Sequence, residues 1–430
     1  MAAIVGGVHK LEMMAEISIV QRPKSVVNHK AALASLLFAL LVIAGFKWFA
    51  SQDAAFCLVS VVIAIALPHL GIALADWEEQ SAKSVLPASN VPRILTKLWG
   101  QICLYGVLAL SYFVFQGFSK NYLLPLVSFG VRLQLLVIIV TPIYIWFTDR
   151  RLVQPEDGLF KFGQLLLFRF RKDDRPAIKQ YLLGWAVKGY FGPLMAGFAL
   201  NDMSWFLDLQ LAENFGQVSA FYATFYRMIY FVDVLFAVTG YLCTFRFMNT
   251  HIKSTEPTMF GWVICLLCYP PFWPVFSDNF LSYGSDYQWG DWLARSSMIW
   301  TIWAAVIMAA TTIYTWATVS FGVRFSNLTN RGIITNGPYR WVKHPAYVSK
   351  NFSWWFVSMP FLSALSATEA LRASMALLLL NGVYYLRAKT EERHLSSDPD
   401  YVAYVNWMAS HSLYAKLKRL IRKKTLHQEM

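Results

Sequence analysis

The sequence predicts an all-α fold, a polytopic transmembrane helical bundle of about ten spans, N-in and C-in. Three observations carry this. The chain of 430 residues is 57% hydrophobic and only 15% charged, where a soluble domain averages roughly 25% charged residues. Its apolar residues come in blocks long enough to cross a hydrocarbon core of about 30 Å, which takes roughly 20 residues of helix. Its Lys and Arg gather in alternate loops. Inside lipid every backbone polar group must be satisfied within its own segment, so helix is the expected form.

The candidate spans are 31–50, 54–75, 98–117, 122–147, 180–200, 221–245, 259–276, 296–320, 351–366 and 370–388. The ninth is short and relies on hairpin packing against the tenth. Basic residues lie before the first span (Lys10, Arg22, Lys24, Lys30), and the loop after it holds only Asp53. Lys83, Arg93 and Lys97 follow, then a loop with Lys120 alone. The 149–179 loop is the most basic, and 201–219 has Asp202, Asp208 and Glu213 with no Lys or Arg. Arg246 and Lys253 face Asp278, Asp286 and Asp291, and Arg324, Arg331, Arg340, Lys343 and Lys350 come next. Positive loops mark the cytosolic side, so both termini, 149–179 and 321–350 are expected there.

Two membrane regions are expected. Residues 1–220 hold about five spans with no assigned role, and 221–430 form a C-terminal core with a cytosolic cap. The net charge of +13 follows membrane orientation, so no nucleic-acid partner is expected. The tail from Lys416 to Lys424 is basic and should lie against anionic lipid headgroups. All five cysteines fall in apolar blocks, which suits buried packing and excludes a disulfide framework. Cys265 and Cys268 form a CxxC with no second pair, so no metal site is expected.

Soluble-enzyme motifs such as the P-loop, GxGxxG, HExxH and GxSxG are absent. Within spans His69, Arg132, Lys188, Arg227 and Asp233 are read first as structural pairs, with substrate lining or proton coupling as alternatives. Pro270, Pro271 and Pro274 break one span, but no mirrored segment supports a transporter. The richer signal runs from Thr335 to Tyr347. Gly337 and Pro338 enforce a turn, and His344 precedes Pro345, which biases it away from helix. A non-helical strip therefore presents Arg340, Lys343 and His344, either to an anionic group or as an orientation anchor. In the last span Asn381, Tyr384, Arg387 and Glu391 are three or four residues apart and form one polar stripe. Glu392 and His394 follow it.

A GPYRxxKHPxY element at Gly337–Tyr347, a helical hairpin, RxxxEExxL from Arg387 to Leu395, and the Tyr401–Tyr404 pair resemble the C-terminal core of the isoprenylcysteine carboxyl methyltransferase family. The match runs from about Ser326 to Trp407. Lys343 stands where that family usually has Arg, and Asp398-Pro399 where a Phe-Gly pair often precedes the tyrosines. The resemblance implies an S-adenosyl-L-methionine pocket to which Tyr339, Lys343, His344, Pro345, Tyr347, Tyr384 and Glu392 contribute. It implies that Arg387, with Glu391 or Glu392, holds polar groups of the cofactor or faces the reacting centre, with Arg387 and Glu391 as the catalytic candidates, and it implies a lipid or lipid-linked acceptor. Methyl transfer from a sulfonium fits the missing motifs, since positioning alone supplies roughly 7–11 kcal/mol. A nicotinamide-dependent sterol-reductase-like enzyme is the alternative, ahead of a transporter.

Overall fold

The computed structural model describes residues 21–49, 53–81, 90–115, 137–152, 154–210, 218–280, 288–294 and 297–428. Among the described residues, five helices are long and apolar enough to cross a membrane: α1 (His29–Trp48), α2 (Ala54–Ser81), α3 (Val91–Phe115), α7 (Val218–Leu242) and α11 (Met298–Ser320). Side chains start four of them, with Asp53 accepting from the Phe56 N–H at the head of α2 and Asn90 from the Arg93 N–H at the head of α3. Asn28 accepts from the Lys30 and Ala31 N–H groups at the head of α1, and Ser297 accepts from Trp300 at the head of α11. Such caps satisfy N–H groups with no helical partner.

The other expected spans take different forms. Within 122–147 only the helix α4 (Val137–Asp149) is described. A short helix α5 (Gly158–Leu166) then leads into α6 (Arg175–Asp208), which has 34 residues and contains the expected 180–200 span. The 259–276 segment is two helices, α8 (Met259–Leu266) and α9 (Phe272–Phe280). Pro270 and Pro271 separate them, because proline lacks the N–H that would continue the ladder. A single turn of helix, α10 (Trp289–Trp292), precedes α11.

The expected span 351–366 is corrected. Its helix, α12 (Pro345–Ser358), starts earlier because Pro345 occupies the first helical position, where a missing N–H costs nothing. It ends where Met359 turns left-handed at φ 42°. Fourteen residues rise about 21 Å, short of a hydrocarbon core of about 30 Å. The last long helix, α13 (Ala367–Leu395), carries the polar stripe, and α14 (Pro399–His411) and α15 (Leu413–Gln428) follow. Strands β1 (Ser254–Thr255) and β2 (Thr329–Asn330) pair antiparallel, Ser254 opposite Asn330.

One apolar core draws on both expected regions, with Ile43, Leu58, Phe191, Phe231, Phe236 and Val323 packed together. Arg331, expected as an orienting loop cation, is only 3% exposed and staples the backbone instead. It donates five hydrogen bonds of 2.7–3.0 Å to the carbonyls of Thr250, Gly240, Phe325, Cys243 and Val323. Among the intramembrane charges, Arg227 pairs with Asp202 at 3.1 Å. Asp233 is held by hydroxyls rather than by a basic residue: Tyr314 donates at 2.6 Å, and Thr318 donates to the other oxygen. Lys188 lies 3.5 Å from the centroid of the Trp185 ring. Arg132 lies outside the described residues.

Candidate functional site

The polar stripe of α13 faces α12, and the two helices meet in rungs. Near the top, Glu392 accepts from Lys343 Nζ at 2.6 Å, lies 3.2 Å from His344 Nε2 and accepts from Lys389 Nζ at 2.9 Å. One position back, Glu391 accepts from the Tyr347 hydroxyl and stands 3.8 Å from His344 Nδ1. A turn deeper, the Arg387 guanidinium lies 5.1 Å from the Tyr347 ring centroid and 5.5 Å from that of Tyr269. Below it Tyr384 packs edge-on against Tyr347 and Trp354. At the deepest rung Asn381 accepts from Trp355 Nε1 at 3.0 Å. Residues four apart on a helix share a face, which is why one stripe can fill successive rungs.

Helix geometry also separates the two glutamates. Glu391 lies four residues after Arg387 and on its face, 3.5 Å from Arg387 Nε. Glu392, rotated by about 100°, meets the 337–344 turn instead. The hydrogen bond from His344 holds the Glu392 carboxyl well below the usual carboxylate range, and Lys343 and Lys389 add to this against the opposing effect of burial.

A cavity of about 200 Å³ lies between these helices, β2 and α14. Tyr339, Lys343, His344, Tyr347, Tyr384, Arg387 and Glu391 all line it. Pro345 and Glu392 do not line it. Pro345 starts α12, and Glu392 ties α13 to the turn. Tyr339 is buried against Phe321, and its carbonyl accepts from the Tyr404 hydroxyl at 2.6 Å. Arg340 lies outside the wall, exposed over the Trp341 ring.

The Asp398-Pro399 departure has a local explanation. Asp398 caps α14 by accepting from the Asp400 N–H, and Pro399 opens the helix. Asp398 also accepts from Asn330 Nδ2 at 2.7 Å, so β2 and the tyrosine helix are joined. That link sets Tyr401 and Tyr404 in the cavity wall.

Other wall residues had no signal as site residues in the sequence. Asn327 accepts from Arg387 Nη2 at 2.6 Å and donates to the Tyr269 hydroxyl at 3.0 Å. Lys350, counted there as a loop cation, points its ammonium at the rings of Tyr314, Trp354 and Tyr384, at 5.2, 5.3 and 5.9 Å. Its position three residues after Tyr347 places it on the same helix face, the one clue that could have found it.

The wall suits an S-adenosylmethionine-like ligand by its chemistry. Arg387 Nε, Thr329 Oγ1 and Tyr401 OH are buried there with no hydrogen-bond partner among the described residues. Such atoms are costly to leave unmade, and these three are available to a ligand's carboxylate, amine and hydroxyls. The rings of Tyr269, Tyr314, Tyr347 and Tyr384 offer π faces to a cation. The cavity, at about 200 Å³, is smaller than the roughly 300–1,000 Å³ usual for ligand pockets.

No curated protein and no solved structure matches the chain. Residues 298–397, which comprise α11, α12, α13 and the loops between them, match the model of the isoprenylcysteine carboxyl methyltransferase family, and over that stretch the chain is isoprenylcysteine carboxyl methyltransferase-like.

Proposed function

We propose that the protein is a membrane-embedded methyltransferase that uses S-adenosyl-L-methionine and acts on a lipid or lipid-linked acceptor. The observation that supports this best is the cavity itself. Most of its wall comes from the family-matched stretch, with Tyr269 and Tyr401 added from outside it, and it combines buried donors with four tyrosine rings. When bound, S-adenosylmethionine supplies a methyl group made electrophilic by its sulfonium.

The chain's residues then have three tasks. Arg387, with Thr329 and Tyr401, holds the polar groups of the donor through hydrogen bonds not used internally. The buried tyrosines exclude water and keep the site's dipoles fixed, which strengthens electrostatic stabilisation of the transition state. Glu391 orients Arg387 and Tyr347. A carboxylate held against the sulfonium would favour a charge that is lost during transfer, and so would slow the chemistry. The acceptor enters sideways between helices, and the donor enters from the cytosolic face that the basic loops mark. A helical membrane bundle with its basic loops toward the cytosol completes this reading.

Calorimetry on the purified full chain tests it. S-adenosylhomocysteine should bind and NADPH should not, and labelled methyl groups should pass from the donor into a lipid extract. Binding of NADPH alone would favour a reductase, and binding of neither would sink the proposal.

A further inference from the structure

A second cavity, of about 1680 Å³, lies between the N-terminal segment, α2, the 147–157 loop and the 246–251 loop. Its wall carries Arg22, Lys24, Arg150, Arg151, Arg246 and Arg324 against Asp76, Glu156 and Asp157. Asp157 is already engaged, 3.3 Å from Lys97 and 3.5 Å from Arg246, and it also caps α5. Even without Arg151, five cationic side chains of this wall face three carboxylates, one of them shared with Lys97.

Arg324 makes that imbalance specific. It is 9% exposed, and among the described residues its guanidinium makes one hydrogen bond, Nη1 to the Arg331 carbonyl at 2.6 Å, and no ion pair. Burial pushes its pKa down to about 10. The neighbouring Arg331 falls to about 9, through burial first and Arg324 second. A buried cation without an anion is costly. Around the same wall Arg150 Nε, His29 Nδ1, His69 Nε2, His251 Nδ1 and Asn336 Oδ1 are buried without hydrogen-bond partners. Orientation by positive loops needs cations at the water-facing surface. It does not need an arginine that is nine-tenths buried beside a cavity.

We propose that this cavity is a second ligand site, separate from the methyl-donor cavity, and that it binds a phosphate-bearing ligand with Arg324 at its floor. A phosphate fits better than a single carboxylate. It carries up to two negative charges and three acceptor oxygens, and arginine forks match its geometry. The inference does not depend on the methyltransferase reading. Arg324 lines both cavities, so occupancy of one is sensed at the wall of the other.

The phosphate could belong to a lipid headgroup or to a soluble molecule, and the test separates them. The full chain in phosphatidylcholine nanodiscs is titrated with inorganic pyrophosphate, and a parallel sample is prepared in nanodiscs doped with phosphatidylinositol 4-phosphate. Saturable binding with a rise in melting temperature is expected in at least one arm. Pyrophosphate alone assigns a soluble ligand, and the doped disc alone assigns a headgroup. The Arg22→Gln/Lys24→Gln pair lies at exposed positions and leaves the buried core intact. This pair and Arg150→Gln/His251→Gln should each weaken binding about tenfold or more, as expected for lost charge-assisted hydrogen bonds. No saturable binding in either arm, or wild-type affinity in both double variants, overturns the proposal.

Discussion

Arg387 Nη2 donates a 2.6 Å hydrogen bond to Asn327 Oδ1, joining positions 60 residues apart in the chain. Asn327 is itself fixed, its N–H donating to the Tyr241 hydroxyl at 2.9 Å and its Nδ2 to the Tyr269 hydroxyl at 3.0 Å. The guanidinium is thus aimed from outside its own helix. Its Nε remains without a hydrogen-bond partner.

This relationship can be broken on the Asn327 side without touching Arg387. Asn327→Ala removes the acceptor from a buried charged donor, a loss of about 1.5–3 kcal/mol. The expected result is a lower melting temperature together with weaker S-adenosylhomocysteine binding. Asn327→Asp supplies a carboxylate to the same guanidinium and should recover most of the affinity. Equal binding by the Ala variant and the wild type would show that Arg387 needs no such positioning.

Glu391 accepts from Tyr347 and neighbours Arg387, so its work is orientation. Glu391→Gln keeps the shape and one acceptor and should retain much more turnover than Glu391→Ala. Single-turnover methyl transfer at saturating donor gives the comparison. Zero turnover in the Gln variant with donor binding intact would point to proton transfer at this position.

Glu392 gives a pH dependence whose sign follows from its depressed pKa. A carboxyl that ionises more readily in the folded state contributes stability above its unfolded pKa of about 4.3, and loses it as pH falls toward the folded value. The wild type should therefore melt above Glu392→Gln near neutral pH, with the gap closing on acidification below about pH 4. Thermal denaturation across a pH series measures it. A gap that widens in acid would show that the Lys343–His344–Glu392 cluster is not what stabilises the turn.

Sidedness can be read with cysteines at Gln210 and Arg340, both exposed, in a background lacking the native thiols. Impermeant maleimide added to sealed vesicles should label one of them and miss the other. Labelling of both from the same side would remove the argument that the donor enters from the cytosol.

The helical membrane class and the polar stripe of the last long helix were legible in the amino-acid order because they rest on local properties. Block length sets whether a helix can cross lipid, and a spacing of three or four sets which side chains share a face. Local reading failed where burial decides. Arg331 and Arg324 read as orienting loop cations yet lie 3% and 9% exposed, Lys350 sits among three rings, and nothing local marked Asn327. Periodicity reports which face of its own helix a residue occupies. It carries no information on what a segment 60 or 90 positions away packs against that face, and this long-range packing is what makes Arg387 a positioned donor, Arg331 a backbone staple and Arg324 a buried cation between two cavities.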